Sequence, residues 1–202
     1  MLFRSINQDG TGNRVGNSGT GNTSVSDGAS TTMDIDQVGS SNELDYDVFG
    51  DNANITANTQ GNSSDIDIQV GTTNSTNAGS DDVTINIQNS GNTNTVSTSV
   101  GATASGVDDV NIDVNISGGS NSVTVSENST AASVTDKLTD IDITGDSNTM
   151  TVTKSGAAQH DTTINQTGSS STYSVTQSGS EASTVNVTTN GSSSSVTITV
   201  TD

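Results

Sequence analysis

Eight of the 21 glycines in this chain recur at intervals of 22 to 30 residues. Each of the eight lies between two short runs in which β-branched apolar residues alternate with polar ones. Runs such as Val185-Asn186-Val187 and Val196-Thr197-Ile198 have a period of two, which is typical of a strand with one buried face. The steps between the glycines are 29, 22, 30, 27, 27, 23 and 23 residues. Each unit is therefore predicted to contain a strand, a turn at the glycine and a second strand. The eight positions are Gly10, Gly39, Gly61, Gly91, Gly118, Gly145, Gly168 and Gly191.

Sequence repeats of this length indicate a solenoid. Each unit would form one coil, with its strands stacked on those of the next coil at a spacing of about 4.8 Å. We therefore expect an all-β protein, a β-solenoid of about eight coils with about two strands per coil and almost no helix. It would form a single domain over 1–202, with irregular coils in 1–90 and regular coils in 91–202. The unequal steps predict loops between the coils.

The composition by itself would suggest disorder, because only 38 residues are Leu, Ile, Val or Phe and the net charge is −19. Such a chain normally cannot bury enough apolar surface to offset its conformational entropy. Two features favour folding. Proline is absent, and 33 of the 38 are Val or Ile, which favour strands. Stacking would join the few apolar side chains of each coil into one continuous core.

The composition also excludes several functions. There is no cysteine, so disulfides and thiolate metal sites are impossible. With four basic residues against 23 acidic ones, nucleic-acid binding is not expected. No apolar run is long enough to insert into a membrane. The first residues contain no apolar core of signal-peptide length, so classical secretion is not encoded if Met1 is the true start; a processed chain would void that inference.

Enzymatic activity is not expected, and no catalytic residue or cofactor is predicted. The single histidine, His160, is predicted to lie in an exposed turn between coils. Pairs of aspartates could imitate a glycosidase pair. The chain has only four aromatic residues and no tryptophan, so it has few side chains on which a sugar ring could stack.

Several units carry Gln two residues before the glycine and Asn three residues after it. Two copies are Gln8-Asp9-Gly10-Thr11-Gly12-Asn13 and Gln37-Val38-Gly39-Ser40-Ser41-Asn42, and a third runs from Gln69 through Gly71 to Asn74. This pattern resembles the curlin repeat. The resemblance implies a β-solenoid with two strands per coil, inward Gln and Asn side chains in ladders, and end-to-end stacking into fibres.

Several aspartates alternate with core positions, and one hypothesis is that they bind a cation. If the apolar residues point inward, these carboxylates point outward. Stacking then brings the carboxylates of neighbouring coils close together, and a bound cation would relieve their electrostatic repulsion. Oxygen-rich sites suit Ca²⁺, although no calcium-loop motif is present. The preferred interpretation is instead a solvated acidic face that blocks unwanted edge pairing. The candidate metal ligands are Asp34, Asp36, Asp65, Asp67, Asp140 and Asp142.

Threonine-rich strands such as Thr197-Ile198-Thr199 are similar to those of ice-binding solenoids. Read from the sequence, threonine does not recur in the same columns from coil to coil. Ordinary β-propensity on an exposed face is therefore the preferred interpretation.

The expected function is structural. The last strand, Val196 to Val200, runs nearly to Asp202, and a solenoid with an uncapped end tends to associate. Met1-Leu2-Phe3 would either cap the first coil or dock into a neighbouring subunit. The expected partners are further copies of the chain or other subunits of a particle. The preferred setting is the virion surface, as a decoration or fibre protein. The alternatives are an extracellular curli-like fibre of a biofilm or cell surface, and a cation- or glycan-binding adhesin.

Overall fold

The fold is a stack of coils whose strands build two parallel sheets. The structure is a computed structural model that describes residues 2–16, 24–27, 30–49, 52–70, 80–101, 107–129, 137–156, 159–179 and 183–201. No helix occurs in these segments. The fold class predicted from the sequence, an all-β solenoid with about two strands per coil, is confirmed.

The first sheet takes the strand that precedes each repeat glycine, one strand from each of the eight units, in the order in which they occur along the chain. Its strands are β1 (Leu2–Asp9), β4 (Thr31–Val38), β6 (Asn52–Gln60), β8 (Ser80–Ser90), β10 (Val107–Ser117), β12 (Lys137–Thr144), β14 (His160–Thr167) and β16 (Thr184–Asn190).

The second sheet takes the strand that follows each glycine. In coil 1 this strand is divided into β2 and β3, which both pair with β5. Its strands are β2 (Arg14–Val15), β3 (Ser24–Asp27), β5 (Ser41–Phe49), β7 (Ser63–Val70), β9 (Thr93–Val100), β11 (Ser122–Ser129), β13 (Thr149–Gly156), β15 (Thr172–Ser178) and β17 (Ser195–Thr201). We number the coils 1 to 8, so that coil 8 contains β16 and β17.

The side chains alternate between the two faces of each sheet, as the period of two requires. In β13, for example, Met150 and Val152 are buried while Thr149 and Thr151 are exposed. The inward apolar side chains of both sheets form one cluster that runs from Val15 to Val175. Each coil supplies only a few of these side chains, and the stacking makes them a continuous core.

The repeat glycines form one column on the axis of stacking. The amide of each glycine from Gly10 to Gly168 donates to the carbonyl of the residue that precedes the next glycine, as Gly118 N does to Thr144 O at 2.8 Å. At all seven positions from Gly39 to Gly191, a Cβ atom would overlap the carbonyl oxygen of the glycine in the previous coil. The close approach of the backbones therefore requires glycine there.

The asparagine column follows the glycine column and is buried. Asn94 Nδ2 donates to Asn121 Oδ1 at 2.9 Å, and Asn121 Nδ2 donates to Asn148 Oδ1 at the same distance. In the first coils the amide reaches a backbone carbonyl of the next coil instead, since Asn13 Nδ2 donates to Val38 O at 2.7 Å and Asn42 Nδ2 to Gln60 O at 3.1 Å.

The glutamine column is short. Gln37 Nε2 donates to Gln8 Oε1 at 3.1 Å, and the register continues with Thr59 instead of a third glutamine. Gln69, which begins the third motif copy, lies in β7 on the outer face of the second sheet, so that copy does not join this column. Its Gly71 and Asn74 lie outside the described residues.

Candidate functional site

The end of the solenoid at coil 8 leaves apolar side chains open to solvent. Val196, Ile198 and Val200 in β17 are 42%, 46% and 48% exposed. In the preceding coil, Tyr173 and Val175 occupy the equivalent positions of the first two and are fully buried. On the inner face of β16, in the first sheet, Val185 and Val187 are partly buried. We call these five side chains the terminal apolar face.

The backbone at this end is also available for pairing. Strand β16 is the last strand of the first sheet and β17 is the last strand of the second sheet, and each pairs on one side only among the described residues. An exposed strand edge is a template for another strand. The terminal apolar face therefore lies between two open strand edges, which is the arrangement that another coil could cover.

Coil 1, at the opposite end, also has an open strand edge. Strand β1 is the other edge of the first sheet. A Cβ atom at Gly10 would meet nothing closer than Asn13 Oδ1, at 3.6 Å, because no described strand lies beneath it. The side chains of Met1, Leu2 and Phe3, which the sequence predicted to cap this coil or to dock into a neighbour, lie outside the described side chains.

The six candidate metal ligands lie on the outer faces but do not form one group. Asp34 and Asp36 project from coil 2 of the first sheet, and Asp140 and Asp142 project from coil 6 of the same sheet. The remaining pair, Asp65 and Asp67, lies on the second sheet. Among the residues that the structure describes, no group of three acidic or histidine side chains could hold a metal ion.

Amide side chains hold several of these carboxylates. Asn58 Nδ2 donates to Asp36 Oδ1 at 2.9 Å, and Asn165 Nδ2 donates to Asp142 Oδ1 at the same distance. Burial raises the pKa of Asp140, and the neighbouring Asp142 raises it further.

The carboxylates of coils 2 and 3 are the most crowded in the second sheet, because Glu43 stacks on Asp65 and Asp45 on Asp67. Burial raises the pKa of both Asp45 and Asp65, and the neighbouring acids add to the effect.

A shallow groove of about 610 Å³ crosses the outer face of the first sheet. Its lining includes the side chains of Asn7, Asp36, Asn58, Gln88 and Asn115, which follow one another through five coils. None of its lining residues is aromatic. The groove therefore lacks the stacking platform that the adhesin alternative would use for a sugar ring.

A cluster of charged side chains lies inside the core near the return ends of coils 5 to 7. Lys154 Nζ lies 3.4 Å from Glu127 Oε2, and both side chains are fully buried. Lys154 Nζ also donates to the carbonyls of Lys137 and Asp161, at 2.9 Å each. Thr139 Oγ1 donates to Glu127 Oε1 at 2.5 Å. Burial lowers the pKa of Lys154, although Glu127 opposes that shift.

His160 belongs to the same cluster. The prediction that it lies in an exposed turn is wrong: it is the first residue of β14, and its side chain is completely buried. Parallel pairing stacks it directly on Lys137. Burial lowers its pKa to about 4, and the nearby Lys154 and Lys137 contribute to the shift.

His160 should make the protein less stable in acid. Its pKa is about 4 in the folded protein against an ordinary value of 6.5, so between those pH values the unfolded chain binds the extra proton. The contribution of His160 to the free energy of unfolding should therefore be complete above pH 6.5 and should fall by about 3 kcal/mol as the pH drops to about 4. Urea unfolding of the native protein and of His160→Leu at both pH values isolates this contribution, because the other titrating groups are common to both proteins; we expect the pH-dependent change in stability to differ between them by about that amount. An equal difference in both proteins would contradict the assignment.

Sequence reasoning did not identify Glu127, Lys137 or Lys154 as core residues. Their positions follow a period of two from apolar neighbours, since Lys154 is two residues after Val152 and Glu127 two after Val125. That spacing was the available signal. Their charge argued for the surface, where such side chains normally lie.

No helix in the described segments is long and apolar enough to cross a membrane. Comparison of the chain with protein-family models, with curated proteins and with solved structures found no match. The functional assignment therefore rests on the geometry of the coils and their open end.

Proposed function

We propose that this chain is a non-enzymatic structural protein that assembles through the open end of coil 8. The observation that carries the proposal is the terminal apolar face, whose side chains occupy positions that are buried in coils 2 to 7. The β-solenoid fold is consistent with a structural, self-associating protein. Covering three half-exposed Val and Ile side chains would contribute roughly 1 kcal/mol each, before the entropic cost of association.

The proposed contact is heterologous, because the surface of coil 8 differs from the surface of coil 1. Such a head-to-tail contact extends into a filament unless its rotation closes a ring. In the stacked arrangement, Gly191 of one copy would lie directly against Gly10 of the next, as each repeat glycine lies against the following one within the chain. A different subunit that presents an open coil could occupy the same position.

The setting that we propose is the surface of a virion, with the chain as a decoration or fibre protein; the alternative is an extracellular curli-like fibre. The unequal repeat steps support the particle, since a subunit that only builds a fibre would be expected to have uniform coils. Electron micrographs of the purified protein distinguish the two. Short rods or discrete oligomers favour a particle component, and long unbranched fibrils favour the fibre.

Substitution of Ile198 by lysine should prevent association and leave the fold intact. The side chain is already 46% exposed, so the charge adds little cost to the monomer, whereas a stacked coil would bury it. The matched control is Leu138→Lys, because Leu138 is 42% exposed on the outer face of the first sheet, away from either end. Sedimentation velocity over a range of concentrations is the measurement. Assembly of Ile198→Lys at the native level, or loss of assembly in Leu138→Lys alone, would overturn the proposal.

A further inference from the structure

The outer face of the second sheet carries an uninterrupted array of hydroxyl groups from coil 4 to coil 8. Three successive outward positions in the middle of each strand stack in register on those of the next strand. All fifteen are serine or threonine, nine of them threonine; the prediction that threonine does not recur in columns is therefore wrong for this face. The hydroxyl array consists of Thr95, Ser97, Ser99, Ser122, Thr124, Ser126, Thr149, Thr151, Thr153, Thr172, Ser174, Thr176, Ser195, Thr197 and Thr199.

Ordinary β-propensity does not account for this array, because the first sheet provides a control within the same coils. Fifteen outward positions there, three from each strand and not counting the one directly before each glycine, have the same need for strand-forming residues. They include only four threonines and no serine, and four of them are aspartate. These positions are Thr84, Asn86, Gln88, Asn111, Asp113, Asn115, Leu138, Asp140, Asp142, Asp161, Thr163, Asn165, Thr184, Asn186 and Thr188.

Charge is also excluded from the array, although the chain carries a net charge of −19. The same columns are strongly acidic in coils 2 and 3, where they hold Glu43, Asp45, Asp47, Asp65 and Asp67. The boundary is abrupt: Asp65 stacks on Thr95, and Asp67 on Ser97. Coils 2 and 3 of this sheet are therefore acidic, and coils 4 to 8 form a neutral surface.

The hydroxyls of the array are available to an external partner. Each of these side chains is exposed or partly exposed. Thr151, at the centre, has Thr124 and Ser174 beside it in the neighbouring coils. Nine threonine methyl groups stand beside the hydroxyls, so the surface combines weakly hydrated carbon with regularly spaced donors and acceptors.

The spacing of the array identifies the kind of partner. Neighbouring coils repeat at about 4.8 Å, and alternate residues of one strand repeat at about 6.7 Å, so the hydroxyls form a two-dimensional lattice. A small ligand would need a few converging groups in a concave site, and a sugar chain would need aromatic platforms; the array has neither. The oxygen atoms of an ice crystal repeat in two directions at comparable distances. We propose that the hydroxyl array is an ice-binding surface.

The test uses the purified full chain in a supercooled solution that contains a seed crystal. The wild-type protein should shape the crystal, separate its freezing point from its melting point and inhibit recrystallisation. Thr151→Lys should abolish these effects, because a long charged side chain at the centre holds the protein away from the ice plane. Thr151→Ser should retain most of the activity, since it keeps the hydroxyl lattice.

The matched control is Thr84→Lys, which introduces the same charge at an exposed threonine on the outer face of the first sheet. It should retain wild-type ice activity, and circular dichroism should show that both lysine variants are folded. Wild-type protein that neither shapes ice nor separates the two temperatures overturns the proposal. So does equal activity in Thr151→Lys and Thr84→Lys. If Thr151→Lys changes only self-association, the array is an interface between copies, and the proposal is likewise overturned.

Discussion

Replacement of Gly118 by alanine should lower the free energy of unfolding by about 3–5 kcal/mol, which is a large fraction of the roughly 5–15 kcal/mol that stabilises an ordinary domain. A Cβ atom at this position would overlap the carbonyl oxygen of Gly91 in the previous coil. The backbone φ of +139° adds strain of about 1–3 kcal/mol for any residue with a side chain. Because neighbouring coils are hydrogen-bonded through this column, the two coils cannot separate without losing the Gly91 N to Ser117 O bond.

The control for this prediction is the adjacent glycine. A Cβ atom at Gly119 would come no closer than 3.8 Å to any atom of another coil, the nearest being Asn92 O. Gly119→Ala should therefore change the free energy of unfolding by less than about 1 kcal/mol. Urea unfolding followed by circular dichroism compares the two variants with the native protein. Equal stability of Gly118→Ala and Gly119→Ala would show that the glycine column does not set the distance between the coils.

Removal of one partner of the buried ion pair should have an effect of similar size. Glu127→Leu leaves the Lys154 ammonium in the core without its carboxylate, at an expected cost of about 3–5 kcal/mol. Leucine suits the space, because Val100 occupies the same column in the previous coil. Lys154→Met removes the other charge and also leaves the carbonyls of Lys137 and Asp161 without this donor, which costs about 1–3 kcal/mol.

The double variant Glu127→Leu with Lys154→Met separates the charge effect from the loss of packing. With both charges of the pair gone, neither residue is left buried without the other, so the double variant should be more stable than the sum of the two single effects by at least about 2 kcal/mol. The four free energies of unfolding form a double-mutant cycle. Additive effects would mean that the two side chains act independently and that their 3.4 Å contact contributes nothing to stability.

Much of the fold could be predicted because residues close together in the sequence define each repeat. The alternation around Ile141 and Ile143 defines a half-buried strand, and both side chains are buried. The glycine at position 145 marks the turn that follows them. The recurrence of such units along the chain then leaves parallel stacking as the arrangement that pairs every strand, and Ile141 does stack on Ile164.

The sites were harder to predict, because their members belong to different coils. Thr151 touches Thr124 and Ser174 only after the strands have paired, and unequal connections between coils hide that register in the sequence. His160 is separated from Gly156 by a short segment that reads as a turn, yet β14 begins at the histidine itself and carries it inward.

The sequence by itself determined the coil: two strands with a buried face, a turn at the glycine, and a stack of eight such units. These features depend on the backbone and on residues close in the chain, so they can be read locally. The tertiary structure decided which side chains meet across coils: the hydroxyl array, the buried pair of Glu127 and Lys154, and the terminal apolar face of coil 8. The physical reason is that stacking places residues 23 to 30 positions apart within one strand spacing of each other, and its register is fixed only when the strands pair.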